Sequence, residues 1–488
     1  MFTCTPADEF SEPDFGCICH SPVFARLNAL VERKFSRRSF LSRFTAAGAA
    51  LAFWPQEAFA GIPAAPEKPI AFTNIKLFDG KSNKLAEGKR VVVEGNQIKS
   101  VEAATTPLSD GIDVIDGGGR TLMPGLIDCH WHTTMAAISM VDLLTADVGY
   151  INLVAAEEAN KTLMRGFTSV RDMAGPSFGL KRAIDSGVNP GPRIWPSGAM
   201  ISQTSGHGDF RLPYEVPSPM HAPLSHGDAI GGGSIADGPD QVMKRVREQL
   251  MLGASQIKLA AGGGVASNYD PIDVSQYTEA EFRAAADCAE NWGTYVAVHA
   301  YTPRAIQTAI RGGVRCIDHG QLMDEATAKI MADKDIWFSS QAFIDNEFAN
   351  PYPEGSANRK KQRIMFAGTD TAYGLAKKHK LKTAWGTDIL SNPSMTKHQG
   401  AILATMSRWY ANDEILTMAT STNAALLAMS GPRNPYPGKI GVIEADAYAD
   451  ILLIDGDPIA DIKLIADPET NLKIIMKDGR IYRNTLAG

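Results

Sequence analysis

Short apolar runs alternate with longer amphipathic stretches between residues 123 and 388. The runs have the length of buried strands, whereas the stretches at 155–165 and 241–252 repeat their apolar residues with a helical period. Strands that alternate with helices are typical of a parallel sheet. The pattern predicts an α/β fold, a (β/α)8 TIM-like barrel, with strands at 126–128, 167–172, 193–196, 256–259, 295–298, 316–318, 337–340 and 382–387.

Segments rich in strands and turns flank this alternating region, at 70–122 and again at 449–479. Turn residues between short β-prone runs predict β structure. We expect both chain ends to form one small β-sandwich domain, and two unrelated β extensions are the alternative. The predicted domains are a signal peptide at 1–60, the two parts of the sandwich at 61–122 and 433–488, and the barrel at 123–432.

The first sixty residues have the pattern of an export signal. Arg37-Arg38 lies in a twin-arginine motif, an apolar stretch follows at 46–53, and Ala58-Phe59-Ala60 offers a cleavage site. This apolar stretch is shorter than the roughly 20 residues of a stable membrane anchor. We therefore expect twin-arginine export to the bacterial periplasm or beyond, with no stable anchor after cleavage. The alternative is an amphipathic N-terminal helix.

Composition narrows the classes of partner. The chain has 488 residues and a formal net charge of −6, which gives no sign of a surface for nucleic acid or anionic membrane. Beyond residue 60 the cysteines are Cys129, Cys288 and Cys316, which do not make a disulfide framework in so large a domain. We expect a small-molecule partner and no nucleic acid.

Six residues that can bind metal stand at or just after the ends of predicted strands: His130, His132, Lys258, His299, His319 and Asp388. In a (β/α)8 barrel the C-terminal strand ends converge on one mouth, so ligands distant in sequence can meet there. Imidazole and carboxylate groups suit zinc. Taken singly, a buried histidine is more often structural than a ligand, but the ordered set predicts metal-dependent hydrolysis.

The residues 123–132, Met-Pro-Gly-Leu-Ile-Asp-Cys-His-Trp-His, resemble the PGxIDxHxH signature of the amidohydrolase superfamily. Lys258, His299, Ile317-Asp318-His319-Gly320 and Gly386-Thr387-Asp388 complete that pattern. The triple glycine 262–264 and the segment 205–209 make the chain similar to one branch, the imidazolonepropionase-like exported peptidases. This branch contains prolidases, Xaa-Arg or Xaa-Lys dipeptidases and ochratoxin-hydrolysing amidases.

The resemblance implies two divalent ions, expected to be Zn2+, bridged by an N6-carboxylated Lys258. His130 and His132 with Asp388 would hold one ion, and His299 with His319 the other. It further implies that Asp388 is the general base toward a metal-bridging hydroxide and then returns the proton to the departing amine. It also implies a homo-oligomer.

Three further residues are candidates for contacts with substrate. His207 resembles an electrophilic helper near the substrate carbonyl, against the alternative of a polar lid residue, and Tyr269 is expected to add a hydrogen bond to the same oxygen. Arg171 either pairs with a substrate carboxylate or neutralises its neighbour Asp172, and we favour the second. Tyr301 stands where relatives often have a small residue, so we expect it to narrow the pocket.

The leading hypothesis is a binuclear amide hydrolase of the carboxypeptidase or dipeptidase kind. Its expected substrates are N-acyl amino acids or dipeptides, including ochratoxin A, which would yield phenylalanine and the isocoumarin acid. One alternative is a lactone, cyclic amide or phosphoester hydrolase on the same metal site. Another is a metal-free scaffold, which predicts missing ligands.

Overall fold

The computed structural model describes residues 62–212, 215, 224–348 and 352–486. The predicted signal peptide at 1–60 lies outside them. The strands are β1 Ile70–Leu77, β2 Ala86–Glu94, β3 Gln97–Ala103, β4 Asp113–Asp116, β5 Thr121–Pro124, β6 Leu126–Trp131, β7 Phe167–Asp172, β8 Arg193–Pro196, β9 Met200–Ser202, β10 Gly233–Ile235, β11 Ile257–Ala260, β12 Val296–Ala300, β13 Cys316–His319, β14 Trp337–Ser340, β15 Thr383–Trp385, β16 Ile451–Ile454, β17 Leu472–Lys477 and β18 Arg480–Asn484.

The helices lie mostly between the parallel strands. They are α1 Met140–Thr145, α2 Val148–Met164, α3 Phe178–Asp185, α4 His226–Ala229, α5 Pro239–Leu252, α6 Glu279–Asn291, α7 Pro303–Arg311, α8 Glu325–Asp333, α9 Ala357–Lys378, α10 Gln399–Ala404, α11 Asn412–Thr417, α12 Asn423–Ala428 and α13 Pro468–Asn471. Within the described parts of the chain, no helix is both long and apolar enough to cross a bilayer.

Both helices predicted from periodicity are confirmed, and their ends have local causes. Helix α2 begins before the predicted 155 because the Asp147 side chain accepts a hydrogen bond from the Gly149 N–H and caps the first turn. Helix α5 begins with Pro239, whose missing N–H costs nothing at that position. It ends at Gly253, which has a φ of 102° that other residues rarely adopt.

One sheet combines strands from both ends of the described chain. Its order is β18-β17-β16-β5-β1-β2-β3, and β4 pairs with β1. The junction is an antiparallel ladder in which Ile451 of β16 faces Pro124 of β5. The two predicted β segments therefore share one hydrogen-bonded sheet, while the sandwich shape and the domain limits stay predictions.

Strand β16 is buried on both faces. Ile451 and Leu453 pack in a cluster with the residues of β1 and β2, whereas Leu452 and Ile454 pack with the parallel strands and their helices. A strand with two buried faces is uniformly apolar rather than alternating, as Ile451–Ile454 is. This strand thus joins the terminal sheet to the α/β region.

The α/β region contains two parallel sheets. The first has the order β6-β7-β8 and the second β10-β9-β11-β12-β13-β14-β15. Each of the eight predicted strands coincides with an observed strand, and the short strands β9 and β10 were not predicted. The α/β fold is therefore confirmed, while closure into a single barrel stays a prediction because the ladders form two sheets.

Hydrogen bonds link these two sheets at two places. At one place, the Ser255 N–H, just before β11, donates to the carbonyl of Pro196 at the end of β8 at 2.8 Å. At the other, the buried Asn423 side chain donates to the carbonyls of Ile127 at 2.7 Å and of Trp385 at 2.8 Å. Its own Oδ1 accepts from the Trp385 N–H at 3.0 Å. Asn423 therefore satisfies three backbone groups between β6 and β15.

We expect Asn423→Ala to lower the free energy of unfolding by about 2–4 kcal/mol, because it leaves buried backbone groups without partners. Urea unfolding of the purified protein measures this change. The matched control is Asn152→Ala on the exposed face of α2, which should change the free energy by less than about 0.5 kcal/mol. Equal effects of the two substitutions would show that Asn423 does not join the sheets.

Candidate metal centre

The ends of β6 and β15 bring His130, His132 and Asp388 together. The Asp388 N–H donates to the His130 carbonyl at 2.8 Å, so the two chain segments lie side by side. The Asp388 Oδ1 atom lies 2.9 Å from His132 Nε2 and 3.3 Å from His130 Nε2. Two imidazoles thus approach one carboxylate oxygen.

Glycine at position 386 permits this approach. A Cβ atom on Gly386 would lie 2.2 Å from the backbone nitrogen of His130, a distance that no real structure tolerates. Asp388 itself has a φ of 56°, and His319 has one of 78°. Left-handed backbone at residues other than glycine costs energy and is concentrated at functional sites.

The three neighbouring strands β11, β12 and β13 place Lys258, His299 and His319 beside that pair. The ring centroid of His319 lies 4.8 Å from that of His130 and 4.4 Å from that of His299. All six predicted metal ligands and His207 line one cavity of about 300 Å³. The structure therefore brings the whole predicted set together, although its members lie at five strand ends between His130 and Asp388.

The donor set fits a divalent metal ion. Burial lowers the pKa of His130 to about 4, with the charge on Lys258 adding to the effect, and burial also holds the pKa values of His299 and His319 well below 6.5. Neutral imidazoles have a lone pair for a metal. In the described chain, His130, His319 and Asp388 have ligand atoms within 4.8 Å of one another. The Nδ1 atom of His132 has no hydrogen-bond partner there, whereas that of His130 lies 3.4 Å from Asp318 Oδ1.

Fixed partners orient two of the imidazoles. The Gly263 carbonyl can only accept, so His299 donates to it through Nε2 at 3.1 Å and keeps Nδ1 for a ligand. His319 Nδ1 lies 2.7 Å from the Gln341 Oε1 atom, which likewise leaves Nε2 available. Partners of this kind set the tautomer and ring direction of metal-binding histidines.

The prediction for Arg171 was wrong. Its guanidinium is fully buried and donates to Asp318 Oδ1 at 2.6 Å rather than to Asp172. The other carboxylate oxygen of Asp318 accepts from Lys258 Nζ at 2.8 Å. Asp172 instead accepts hydrogen bonds from the Thr133 N–H and from the Ser177 hydroxyl.

His207 and Tyr269 have different positions. The His207 ring lies in the cavity wall and stacks on His299 with 3.9 Å between centroids. The Tyr269 hydroxyl donates to the Arg211 carbonyl at 2.6 Å, and 41% of the residue surface is exposed. Tyr269 is not among the described residues that line the cavity. In this arrangement Tyr269 is therefore not positioned for the hydrogen bond predicted for it. Tyr301, expected to narrow the pocket, does line it.

The amidohydrolase family profile matches residues 121–482, which include all six candidate ligands. The chain belongs to the amidohydrolase family.

The chain is also similar to individual proteins and solved structures. The ochratoxinase of Aspergillus niger is 29% identical over 382 residues, which cover 75% of this chain and 76% of the relative. A crystal structure of an amidohydrolase is 34% identical, with a TM-score of 0.77, and covers 86% of this chain and 100% of its own. A prolidase crystallised with N-methylphosphonate-L-proline is 32% identical, with a TM-score of 0.78 and the same coverage.

Sequence reasoning missed two aspartates of this amidohydrolase site, although both lie inside the quoted motifs. Asp318 links Arg171 to Lys258, as described above. Asp128 Oδ1 accepts from the N–H groups of His130 at 3.0 Å and Thr387 at 3.2 Å, so it ties the ligand segments together. Burial raises the pKa of Asp128 to about 6 despite these bonds. The signal for both residues is the motif itself, in which each aspartate precedes a candidate ligand by one or two positions.

We expect Gly386→Ala to lower the affinity for Zn2+ at least about tenfold, since orienting groups around a metal site typically contribute 10–100-fold. The new Cβ must push β15 away from His130 and so separate Asp388 from the imidazoles. Competition titration with a chromogenic chelator measures the affinity.

Gly374→Ala is the matched control, because no atom lies within 4 Å of a Cβ built at Gly374. This substitution should leave zinc affinity unchanged and stabilise α9 slightly. Unchanged zinc affinity in Gly386→Ala would contradict the proposed role of the close approach.

Proposed function

We propose that this protein is a binuclear metal-dependent hydrolase of amide bonds that acts on N-acyl amino acids or dipeptides. The observation that carries the proposal is the convergence of the predicted ligands at one cavity. His130, His132 and Asp388 would hold one ion, and His299 with His319 the other. Lys258 would bridge them as a carbamate, which supplies the anionic oxygens that an ammonium lacks.

We also propose that the eight parallel strands β6–β8 and β11–β15 form one (β/α)8 barrel. The hydrogen bonds from Ser255 to Pro196 and from Asp388 to His130 support this, since they join the segment before β11 to the end of β8 and the segment after β15 to β6. In a barrel the C-terminal strand ends form the active face. The ligands occupy those ends, so one architecture accounts for their meeting.

Divalent ions in this site would supply Lewis acidity, which lowers the pKa of water and polarises a carbonyl group. The residues of the chain perform the proton transfers. Burial alone would raise the pKa of Asp388, but the imidazoles of His130, His132 and His319 lower it well below its usual value. Asp388 is therefore ionised near neutral pH. It takes the proton of the attacking water and gives a proton to the departing amine as the C–N bond breaks.

We assign His207 to the substrate carbonyl. Its ring faces the cavity beside His299, so a carbonyl oxygen bound near the ligands can accept a hydrogen bond from it. Such a bond strengthens as negative charge develops on the oxygen. Hydrolysis by this route consumes one water and yields a carboxylic acid and a free amine.

The cavity walls favour apolar substrate groups. They include Met200, Phe210, Phe343, Phe348, Met365 and Phe366. Among the described lining residues, Asp388 is the single carboxylate and Lys258 the single lysine or arginine. A buried charge on a substrate side chain would therefore have no partner. Amides of phenylalanine or leucine fit this wall better than amides of lysine or arginine, and ochratoxin A is an amide of phenylalanine.

The segment 1–60 supports twin-arginine export to the periplasm or beyond as part of the same proposal. Proteins take this route after folding, which suits an enzyme that loads metal first. The substrate would be a small molecule, and the assembly a homo-oligomer, as the resemblance to exported relatives implies.

We expect release of free amino acid from N-acyl-phenylalanine and N-acyl-leucine, with kcat/KM at least about 100-fold above that for the lysine and arginine analogues, because an unpaired buried charge costs several kcal/mol. Chromatographic assay of the amine product measures the rates. Dialysis against a chelator should abolish turnover, and added Zn2+ with bicarbonate should restore it.

The same panel should include lactones and phosphoesters. Cleavage of these without release of amino acid from any amide would replace the proposed reaction with the alternative. Undiminished turnover after complete metal removal would exclude the metal-dependent mechanism.

A further inference from the structure

The loop at residues 264–270, between β11 and α6, forms part of the wall that holds His207. The Ser267 hydroxyl lies 2.7 Å from His207 Nδ1, and Asp270 Oδ2 lies 3.6 Å from the same atom. Gly264 lies so close that a Cβ there would stand 1.8 Å from His207 Nδ1. The position of the ring therefore depends on the position of this loop.

The loop has no regular secondary structure of its own that could fix it. Within it, the Gly264 N–H donates to Asp270 Oδ2 at 2.7 Å, which closes the loop on itself. Buried backbone carbonyls need hydrogen-bond donors, and four in this loop, those of Gly264, Val265, Ser267 and Asp270, accept from side chains of α9. This helix lies about a hundred positions later in the chain.

Lys361 on α9 supplies three of these bonds. Its ammonium group donates to the carbonyls of Gly264 at 3.0 Å, Ser267 at 2.9 Å and Asp270 at 2.6 Å. An ammonium group has three N–H donors, so all of them serve this one loop. One turn earlier on the helix, Asn358 Nδ2 donates to the Val265 carbonyl at 2.7 Å.

We infer that Lys361 is a positioning residue for the hydrolysis, acting through the loop 264–270 on His207. This inference rests on the proposed function, because it assigns His207 to the substrate carbonyl. Lys361 itself does not line the cavity among the described residues. Lys361 donates hydrogen bonds to three carbonyls of the loop and so fixes its backbone. The fixed loop positions Ser267 and Asp270, and these two side chains keep the His207 ring stacked on His299.

Because Lys361 contacts His207 through the loop 264–270, replacing Lys361 should lower the turnover rate without a loss of bound metal. Lys361→Met should lower kcat about 10–100-fold, because a misplaced catalytic group costs on that order. KM should change less than kcat, and the zinc content should equal that of the wild type. Lys361→Arg keeps a cationic donor group and should recover most of kcat. Lys360→Met, the exposed neighbouring lysine, should behave as the wild type.

The His207→Ala background separates a role through His207 from a general structural one. If Lys361 acts through the ring, Lys361→Met should lower kcat by less than about twofold once the ring is removed, since coupled residues are strongly non-additive. An equal loss of kcat in both backgrounds would overturn the inference. So would full activity of Lys361→Met in the otherwise wild-type protein.

Hydrogen exchange decides the positioning role independently of catalysis. Peptides that cover 264–270 should exchange at least about tenfold faster in Lys361→Met than in Lys360→Met, because the loop loses its ties to α9. Unchanged exchange would overturn the inference even if the enzyme is active. A wild-type protein that cleaves no amide would refute the proposed function instead, and the exchange result would still show whether Lys361 fixes the loop.

Discussion

The hydrogen bond from the Asp388 N–H to the His130 carbonyl is the contact on which the site depends. It sets the end of the last parallel strand against the end of the first. The two backbones approach so closely that only glycine fits at position 386. One carboxylate oxygen thereby lies within 3.3 Å of two imidazoles. Asp128 and Asn423 hold the same two segments from the other sides.

Burial gives these groups their chemistry. Burial disfavours the protonation of His130, His299 and His319 and leaves them as neutral donors. The same surroundings would make an unpaired carboxylate or lysine costly. Asp388 is compensated by histidines, and Lys258 by Asp318, which in turn is held by Arg171. Lys258, Asp318 and Arg171, which lie on three different strands, thus form one chain of ion pairs. His130, His319 and Asp388 among these groups could hold a metal ion.

Much of the strand plan and the ligand set could be predicted from the sequence. A buried strand can be recognised from a short apolar run in the sequence, such as 167–172. A residue that follows such a run lies at the strand end. His130, His299 and Asp388 could therefore be placed at one edge of a parallel arrangement without knowledge of any contact.

Long side chains that reach across the interior could not be placed in this way. Arg171 forms its ion pair with Asp318, which lies 147 positions away, and not with its neighbour Asp172. Lys361 reaches a loop some 91 to 97 positions earlier, and no local pattern distinguishes it from Lys360. Tyr269 was expected in the cavity from its nearness to the triple glycine, but its hydroxyl turns toward Arg211. Sequence proximity determines where a backbone passes, while packing determines where a flexible side chain ends.

The most direct test of the account is a crystal structure of the protein grown with zinc and bicarbonate, with anomalous diffraction recorded on both sides of the zinc edge. The account predicts two anomalous peaks among His130, His132, His299, His319 and Asp388, with extra density on Lys258 Nζ that reaches both. A free amine at Lys258 with no anomalous peak in the cavity would contradict it.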